Sequence, residues 1–389
     1  MKQQLLWRII ITSILLALLV LSTLPFNALT TKADPIGVGK YLTVEIDGEG
    51  YVTATKVKSG ELWSFTKSDP PIEHKLGAGT VSIQAFANEG WEFSRWEVDL
   101  SGSQNPVDYK SEKYGYLRAV FTKVIFTITA LVSTDAPYGT IQTTGTGLAT
   151  PIEGGWSVAV EYGGSQTFTF TPVDNNHHVS AIQVDGSFIA YTLSYTFNIV
   201  QDDHSIVVHF SADGQAYVPV GSNVPVYLGN EVGLTFPSIE ASGTATQEEI
   251  ILLGGLAGTS LLLWDVNVGA TFSGTVQVAL PYSGASITNV WTSDSLDALY
   301  ADVDGNGIVN GTDVSLVAIG IKTTVSSGAE YDPQFDINRD GELTEADVHL
   351  VNEYKGTVLQ SLNHWVEGNL VDGYTLFIET DHFSIFRGR

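Results

Sequence analysis

The sequence predicts a mainly β protein: tandem small β-repeat domains and a β-sandwich, with a small α-helical two-loop module inserted. Three observations carry this. Thr, Val, Tyr and Phe are abundant, and no long helical period precedes residue 300. Several stretches alternate apolar and polar residues with period two, as half-buried strands require. Two internal repeats are present, one recurring after 86 residues and one after 34.

The N-terminus reads as a targeting segment outside the fold. Lys2 and Arg8 form a basic start, residues 9–24 are a nearly uncharged apolar run, and Thr31, Lys32 and Ala33 offer a small-x-small cleavage site. The run is short for a membrane span, which needs about 20 residues. Residues 1–33 are therefore expected to be a cleaved signal peptide rather than an uncleaved anchor, with residues 34–39 as a linker. No second apolar run of spanning length follows, so no membrane insertion is expected after signal removal. The expected compartment is extracellular, as a secreted or cell-surface protein. Cysteine is absent, which excludes disulfide staples and thiol chemistry.

The first β-repeat is expected over residues 40–123 and the second over 124–211. In residues 41–46, Leu42, Val44 and Ile46 share one face; in 80–85, Val81, Ile83 and Ala85 do; in 167–171, Phe168 and Phe170 do. Gly77, Ser94, Val98 and Asp99 return 86 residues later as Gly163, Ser180, Val184 and Asp185. A repeated β-unit of this size reads as small domains in an array. The stretch GWEFSRWEVDLSGSQNPV followed by YLRAVF resembles the divergent internalin-type B-repeat of bacterial surface proteins, which implies a spacer or adhesive stalk unit. Against that family the first copy carries an insertion at about residues 56–74.

A further β-domain is expected from 217–298 together with 357–389. VGLTFPSIEASGTAT and WDVNVGATFSGTVQVALPY resemble a secreted β-sandwich module of archaeal surface proteins. Its terminal strand has a counterpart only at Thr380, Asp381, His382, Phe383, Ser384, Ile385 and Phe386. The sandwich is thus expected to be interrupted by residues 299–356. An inserted guest needs termini that lie close together.

That guest holds two twelve-residue loops. Asp302, Asp304, Asn306, Gly307, Ile308, Asn310 and Asp313 make the first; Asp336, Asn338, Asp340, Gly341, Glu342, Thr344 and Asp347 make the second. Both follow D-x-[DN]-x-[DN]-G with a carboxylate at position 12. Calcium is a hard cation taking six to eight oxygens, and this spacing supplies side chains at positions 1, 3 and 5 and a backbone carbonyl at 7, here Ile308 and Glu342. Position 9, Asn310 or Thr344, ligates directly or through water, and position 12 closes the cage. Two calcium ions are expected. The offset of 34 also holds beyond the ligands, since Val314, Leu316 and Val317 recur as Val348, Leu350 and Val351. Each loop is expected to run into a helix with the same apolar face. Residues 299–356 resemble a dockerin, the calcium-dependent module that plugs into a cohesin on a partner protein. Asp313 and Asp347 match that family's Asp at position 12, as does the run from Tyr331 to Phe335 before the second loop. The family's Ser-Thr pair at positions 10 and 11 is replaced by Gly311 with Thr312 and by Glu345 with Ala346, so the resemblance implies calcium binding more firmly than any one cohesin.

Composition narrows the partners. The formal net charge is −25, which argues against nucleic acid, since that ligand needs a basic face. His177 and His178 are adjacent on a strand and point to opposite faces, so they make a poor metal pair. Trp91 and Trp96 read as core residues before they read as a sugar platform. Asp202 with Asp203, and Glu248 with Glu249, are carboxylate pairs without an evident partner. No nucleophile elbow, zinc helix or phosphate loop occurs, so no catalytic residue is assigned and the protein is expected not to be an enzyme. The leading expectation is a secreted non-catalytic modular surface protein that docks a cohesin-bearing protein or a cell-surface protein or polysaccharide. The alternatives are a carbohydrate-active or carbohydrate-binding component of a cohesin-dockerin complex, and a structural cell-surface or filament subunit.

Overall fold

The computed structural model describes residues 40–110, 114–249, 262–282, 290–293, 295–327, 331, 335–369, 373–383 and 385–388. The expected signal peptide and linker lie outside them. The chain is mainly β, with three helices among the described residues. It forms two compact units, one holding residues up to Ala87 and Phe93–Phe121, the other Asn88–Glu92 and Thr122 onward.

In the first unit the strands are β1 (Tyr41–Asp47), β2 (Gly50–Lys56), β3 (Leu62–Thr66), β4 (Ile72–Lys75), β5 (Thr80–Ala87), β6 (Trp91–Val98), β7 (Val107–Lys110) and β8 (Tyr114–Lys123). They form two four-stranded sheets, β4-β1-β8-β6 and β3-β2-β5-β7. The alternation read from the sequence is the packing: Leu42, Val44 and Ile46 are buried, and so are Val81, Ile83 and Ala85. Trp96 is buried and its indole N–H donates to the Gln104 carbonyl at 3.0 Å. Trp91 is only partly buried.

The next strands are β9 (Ile125–Pro137), β10 (Gly139–Gly145), β11 (Leu148–Ile152), β12 (Gly155–Glu161), β13 (Gln166–Pro172), β14 (His177–Val184), β15 (Ser187–Ile189), β16 (Ser194–Phe197) and β17 (His204–Ala212). Their sheets are β11-β12-β9-β17-β14-β15 and β10-β13-β16. The order β12-β9-β17-β14 repeats β4-β1-β8-β6, and β10-β13-β16 repeats β2-β5-β7. In both, the first and last strands pair in parallel, β1 with β8 and β9 with β17. The offset of 86 is therefore a repeat of topology. Residues 56–74 hold β3 and most of β4, and the second copy has β11 and β12 at the same point of the chain, though β3 pairs with β2 whereas β11 pairs with β12.

His209 on β17 is buried and stacks on Tyr217 with ring centroids 5.4 Å apart. Burial pushes its pKa down from 6.5 to about 4. The unfolded chain then takes up a proton that the folded chain refuses. The stability tied to neutral His209 is present above pH 6.5 and is lost as pH falls from there toward 4, up to about 3 kcal/mol. His209→Gln should flatten that acid-side loss. Hydrogen exchange of β17 amides at pH 7 and pH 4.5 checks it; an unchanged pH dependence in the variant refutes it.

The remaining strands are β18 (Gln215–Val218), β19 (Gly221–Tyr227), β20 (Gly233–Ala241), β21 (Gly243–Glu249), β22 (Leu262–Val268), β23 (Thr271–Ser273), β24 (Val276–Tyr282), β25 (Val290–Ser293), β26 (Gln360–Ser361), β27 (Asn363–Asn369), β28 (Gly373–Thr380) and β29 (Ile385–Gly388). One sheet runs β18-β21-β22-β29-β25-β26, the other β19-β20-β24-β28-β27 with β23 on β20. Their inner faces share one core, including Phe236, Trp264, Val278, Leu362, Leu376 and Ile378. Strands from before residue 294 and after residue 359 thus share both sheets, interleaved in the first, where β29 lies between β22 and β25, and adjoined in the second, where β28 and β27 follow β24. The helices α1 (Leu296–Ala301), α2 (Gly311–Ser327) and α3 (Glu345–Glu353) fall between β25 and β26 in sequence. β25 and β26 pair antiparallel, Trp291 opposite Ser361 and Thr292 opposite Gln360. The helical segment therefore leaves and rejoins the sandwich on neighbouring strands. Among the described residues no helix is long and apolar enough to cross a membrane.

Candidate metal centre

Asp302 caps the C-terminus of α1 and opens the first loop. Its carboxylate is fully buried and accepts from the Asn306 and Gly307 N–H groups, both at 3.1 Å. Asp313, also fully buried, accepts from Asp304 N–H at 3.1 Å and Asn310 N–H at 2.8 Å. The chain is thereby folded back on two carboxylates. Gly307 sits at φ +84°, which a side chain would resist. Carboxylate oxygens of Asp302, Asp304 and Asp313 lie within 4.8 Å of one another. Asn306 and Asn310 accept from the N–H groups two residues on, Ile308 at 2.9 Å and Thr312 at 2.7 Å.

The second loop repeats this wiring. Asp336 accepts from Asp340 N–H at 3.2 Å and Gly341 N–H at 2.9 Å. Asp347 accepts from Ile337 at 2.8 Å, Asn338 at 3.2 Å and Thr344 at 2.9 Å. Asp340 accepts from Glu342 N–H at 2.8 Å, and Gly341 takes φ +86°. Thr344 is the N-cap of α3 and forms a reciprocal capping box with Asp347, so loop closure and helix initiation share residues. Tyr331 donates its hydroxyl to Asp336. Burial, then that bond, push the Tyr331 pKa up.

Asp302, Asp313, Asp336 and Asp347 are each at most 3% exposed. Burying carboxylates without a counter-charge is costly, and here hard oxygen donors of one sign converge. The donor set fits calcium, which takes carboxylate, amide and backbone oxygens in a flexible cage. Site residues Asp302, Asp304, Asn306, Ile308, Asn310 and Asp313 are gathered in one loop, and Asp336, Asn338, Asp340, Glu342, Thr344 and Asp347 in the other.

The two loops and helices share a small core of Ala301, Val303, Val309, Val317, Ile337 and Val351, with Val314, Val348 and Leu350 packed against it. Leu316 does not follow the repeat: it is 36% exposed while Leu350 packs inward. Between α2 and α3 lies a groove of about 750 Å³, walled by Val314, Ala318, Ile321, Val348, His349 and Asn352 among others. Thr312, Lys322, Ala346 and Lys355 are exposed.

The other sequence candidates do not converge. His177 pairs with Asp174 at 2.6 Å, while His178 bonds Asp213 at 3.0 Å and the Tyr227 carbonyl at 2.7 Å. Asp203 accepts from Thr127 N–H at 2.7 Å, a structural tie between β9 and the turn before β17. One tie to the second loop escaped the sequence reading. Arg339 bonds Asp297 at 2.6 Å and lies over the Tyr300 ring at 4.8 Å, joining that loop to α1.

Residues 300–354 match the family model described as the dockerin type I domain. No curated protein matches the chain. Among solved structures, the Bacillus anthracis TIE protein aligns at 12% identity over 64% of this chain and 46% of its own, with a TM-score of 0.30. The major pilin T-13 from Streptococcus pyogenes aligns at 9% identity over 46% of this chain and 98% of its own, with a TM-score of 0.24. The chain spans less than half of the TIE protein. Likenesses this low carry no argument, and the dockerin match rests on its segment alone.

Proposed function

We propose that this chain is a secreted, non-catalytic modular surface protein that uses a calcium-loaded dockerin-like module to dock a cohesin-bearing partner. In this reading residues 40–123 and 124–211 are two β-repeats that act as spacer or stalk units. Residues 217–298 and 357–389 form a discontinuous sandwich, and residues 299–356 are its inserted guest. Each loop takes one calcium ion. Asp302, Asp304, Asn306, Asn310, Asp313 and the Ile308 carbonyl serve the first. Asp336, Asn338, Asp340, Thr344, Asp347 and the Glu342 carbonyl serve the second.

The observation that carries the reading is the joint one at residues 300–354. The stretch matches the dockerin model, both loops bury paired carboxylates, and the exposed residues at the starts of the helices leave a face for a partner. The ion supplies positive charge that lets the carboxylates stay buried together. The chain's own residues then fix the loops and set the angle at which the two helices leave them.

The test is binding of the full chain to purified cohesin modules from the same organism, by calorimetry, in millimolar calcium and in chelator. The expected result is a one-to-one complex in calcium and none in chelator. Calcium uptake without a complex with any cohesin would remove docking and leave a metal-braced domain.

A further inference from the structure

The two loops have equivalent wiring but different surroundings. In the first loop the position-6 glycine, Gly307, is buried against a side chain of the host sandwich: a Cβ placed there would lie 2.4 Å from the Trp291 ring. Trp291 is on β25. In the second loop the equivalent Gly341 is exposed and has nothing within 4 Å of such a Cβ.

The backbone repeats the asymmetry. Leu359 N–H donates to the Gly307 carbonyl at 2.8 Å, Val309 N–H to Thr357 at 2.9 Å, and Gly356 N–H to Val309 at 2.8 Å. Ile308 and Val358 form a β-bridge between these bonds. The same strand continues at once into β26, which pairs with β25 beside Trp291, and β25 pairs with β29. Positions 6 to 8 of the first loop, including the Ile308 carbonyl, are thus the end of a ribbon that runs into the six-stranded sheet. Asp302, Asp304 and Asp313 are also the acidic group that converges within 4.8 Å among the described residues.

We propose that the two calcium sites have separate duties, with Trp291 as a positioning residue for the first. This rests on the calcium reading above. The first site is partly pre-organised by the host: the ribbon fixes the Ile308 carbonyl and the Trp291 ring presses on the turn, so less ordering remains to be done on binding than at the second site. It is the tighter site, and its ion in turn secures β25 in the sandwich. The second site is joined to α1 through Arg339 rather than to a sandwich strand, has a solvent-open turn, and binds more weakly. Calcium level then sets two states of one chain: sandwich secured with the second loop empty, and both loops filled.

The experiment is calcium titration calorimetry on the full chain, with hydrogen exchange read at Val290, Trp291 and Thr292. Wild type should bind two ions with separated affinities. Trp291→Ala, and more mildly Trp291→Phe, should weaken the tighter site about 10- to 100-fold, the usual range for groups behind a metal ligand, and leave the weaker site unchanged. Asp302→Asn should abolish calcium-dependent protection of the three β25 amides, whereas Asp336→Asn should retain it. The last comparison leaves Trp291 in place and so does not depend on its substitution folding. Two ions of equal affinity, or equal loss of β25 protection in Asp302→Asn and Asp336→Asn, would overturn the division while leaving calcium binding intact. No uptake at all would overturn both.

Discussion

Ending the chain at Lys355 should leave residues 217–282 without a cooperative fold. The lost segment reaches every part of the sandwich. β28 pairs with β24 along seven positions, from Val276 opposite Thr380 to Tyr282 opposite Tyr374. β29 lies between β22 and β25, so its loss opens the middle of the other sheet. Leu362, Leu376 and Ile378 leave the shared core with them. Cutting one such residue to Ala costs about 2–5 kcal/mol, and a whole domain is stable by only about 5–15. Three such losses, with β22, β24 and β25 left as newly exposed strand edges, exceed what the remaining strands hold. Proteolysis and urea unfolding of the shortened chain check this. A protease-resistant core over residues 217–282 that unfolds cooperatively would refute the discontinuous domain.

The loops were legible because chemistry dictates their spacing. A cation that needs oxygens from positions 1, 3, 5, 7, 9 and 12 leaves a pattern no packing preference would imitate, and a glycine at position 6 follows from φ near +85°. The buried alternation at Val81, Ile83 and Ala85 was legible for a similar reason, since one face of a pleat must be apolar. Sheet order was less so. Nothing local in β29 says that it lies between β22 and β25, because pairing partners distant in sequence leave no local mark. Leu316 follows the 34-residue repeat in sequence and departs from it in packing, since its helix has a free face where Leu350 has a covered one. Trp291 gave no signal: its role depends on which strand returns beside β25 after the guest segment.

Chelating calcium should melt α2 and α3 while leaving the two β-repeats intact. The core beneath these helices is small, six buried residues with seven partly buried ones packed against them, and modules of this size commonly need a metal to fold. In each loop two carboxylates are almost wholly buried, and in the first loop three have oxygens within 4.8 Å. Without the ion each close pair costs roughly 3 kcal/mol at an effective dielectric near 20. With it, calcium at a hundred times its Kd adds about 2.7 kcal/mol per site. The sign reverses between the two conditions, so the segment should change from ordered to loosened as calcium is withdrawn. Asp313→Ala with Asp347→Ala should reproduce the chelated state at any calcium level, because both cages lose their closing carboxylate and α3 loses half of its capping box. Helical circular dichroism and amide exchange of α2 and α3 measure it. Helices equally protected with calcium, with chelator and in the double variant would mean that apolar packing alone holds the module, and calcium would then have no part in presenting its docking face.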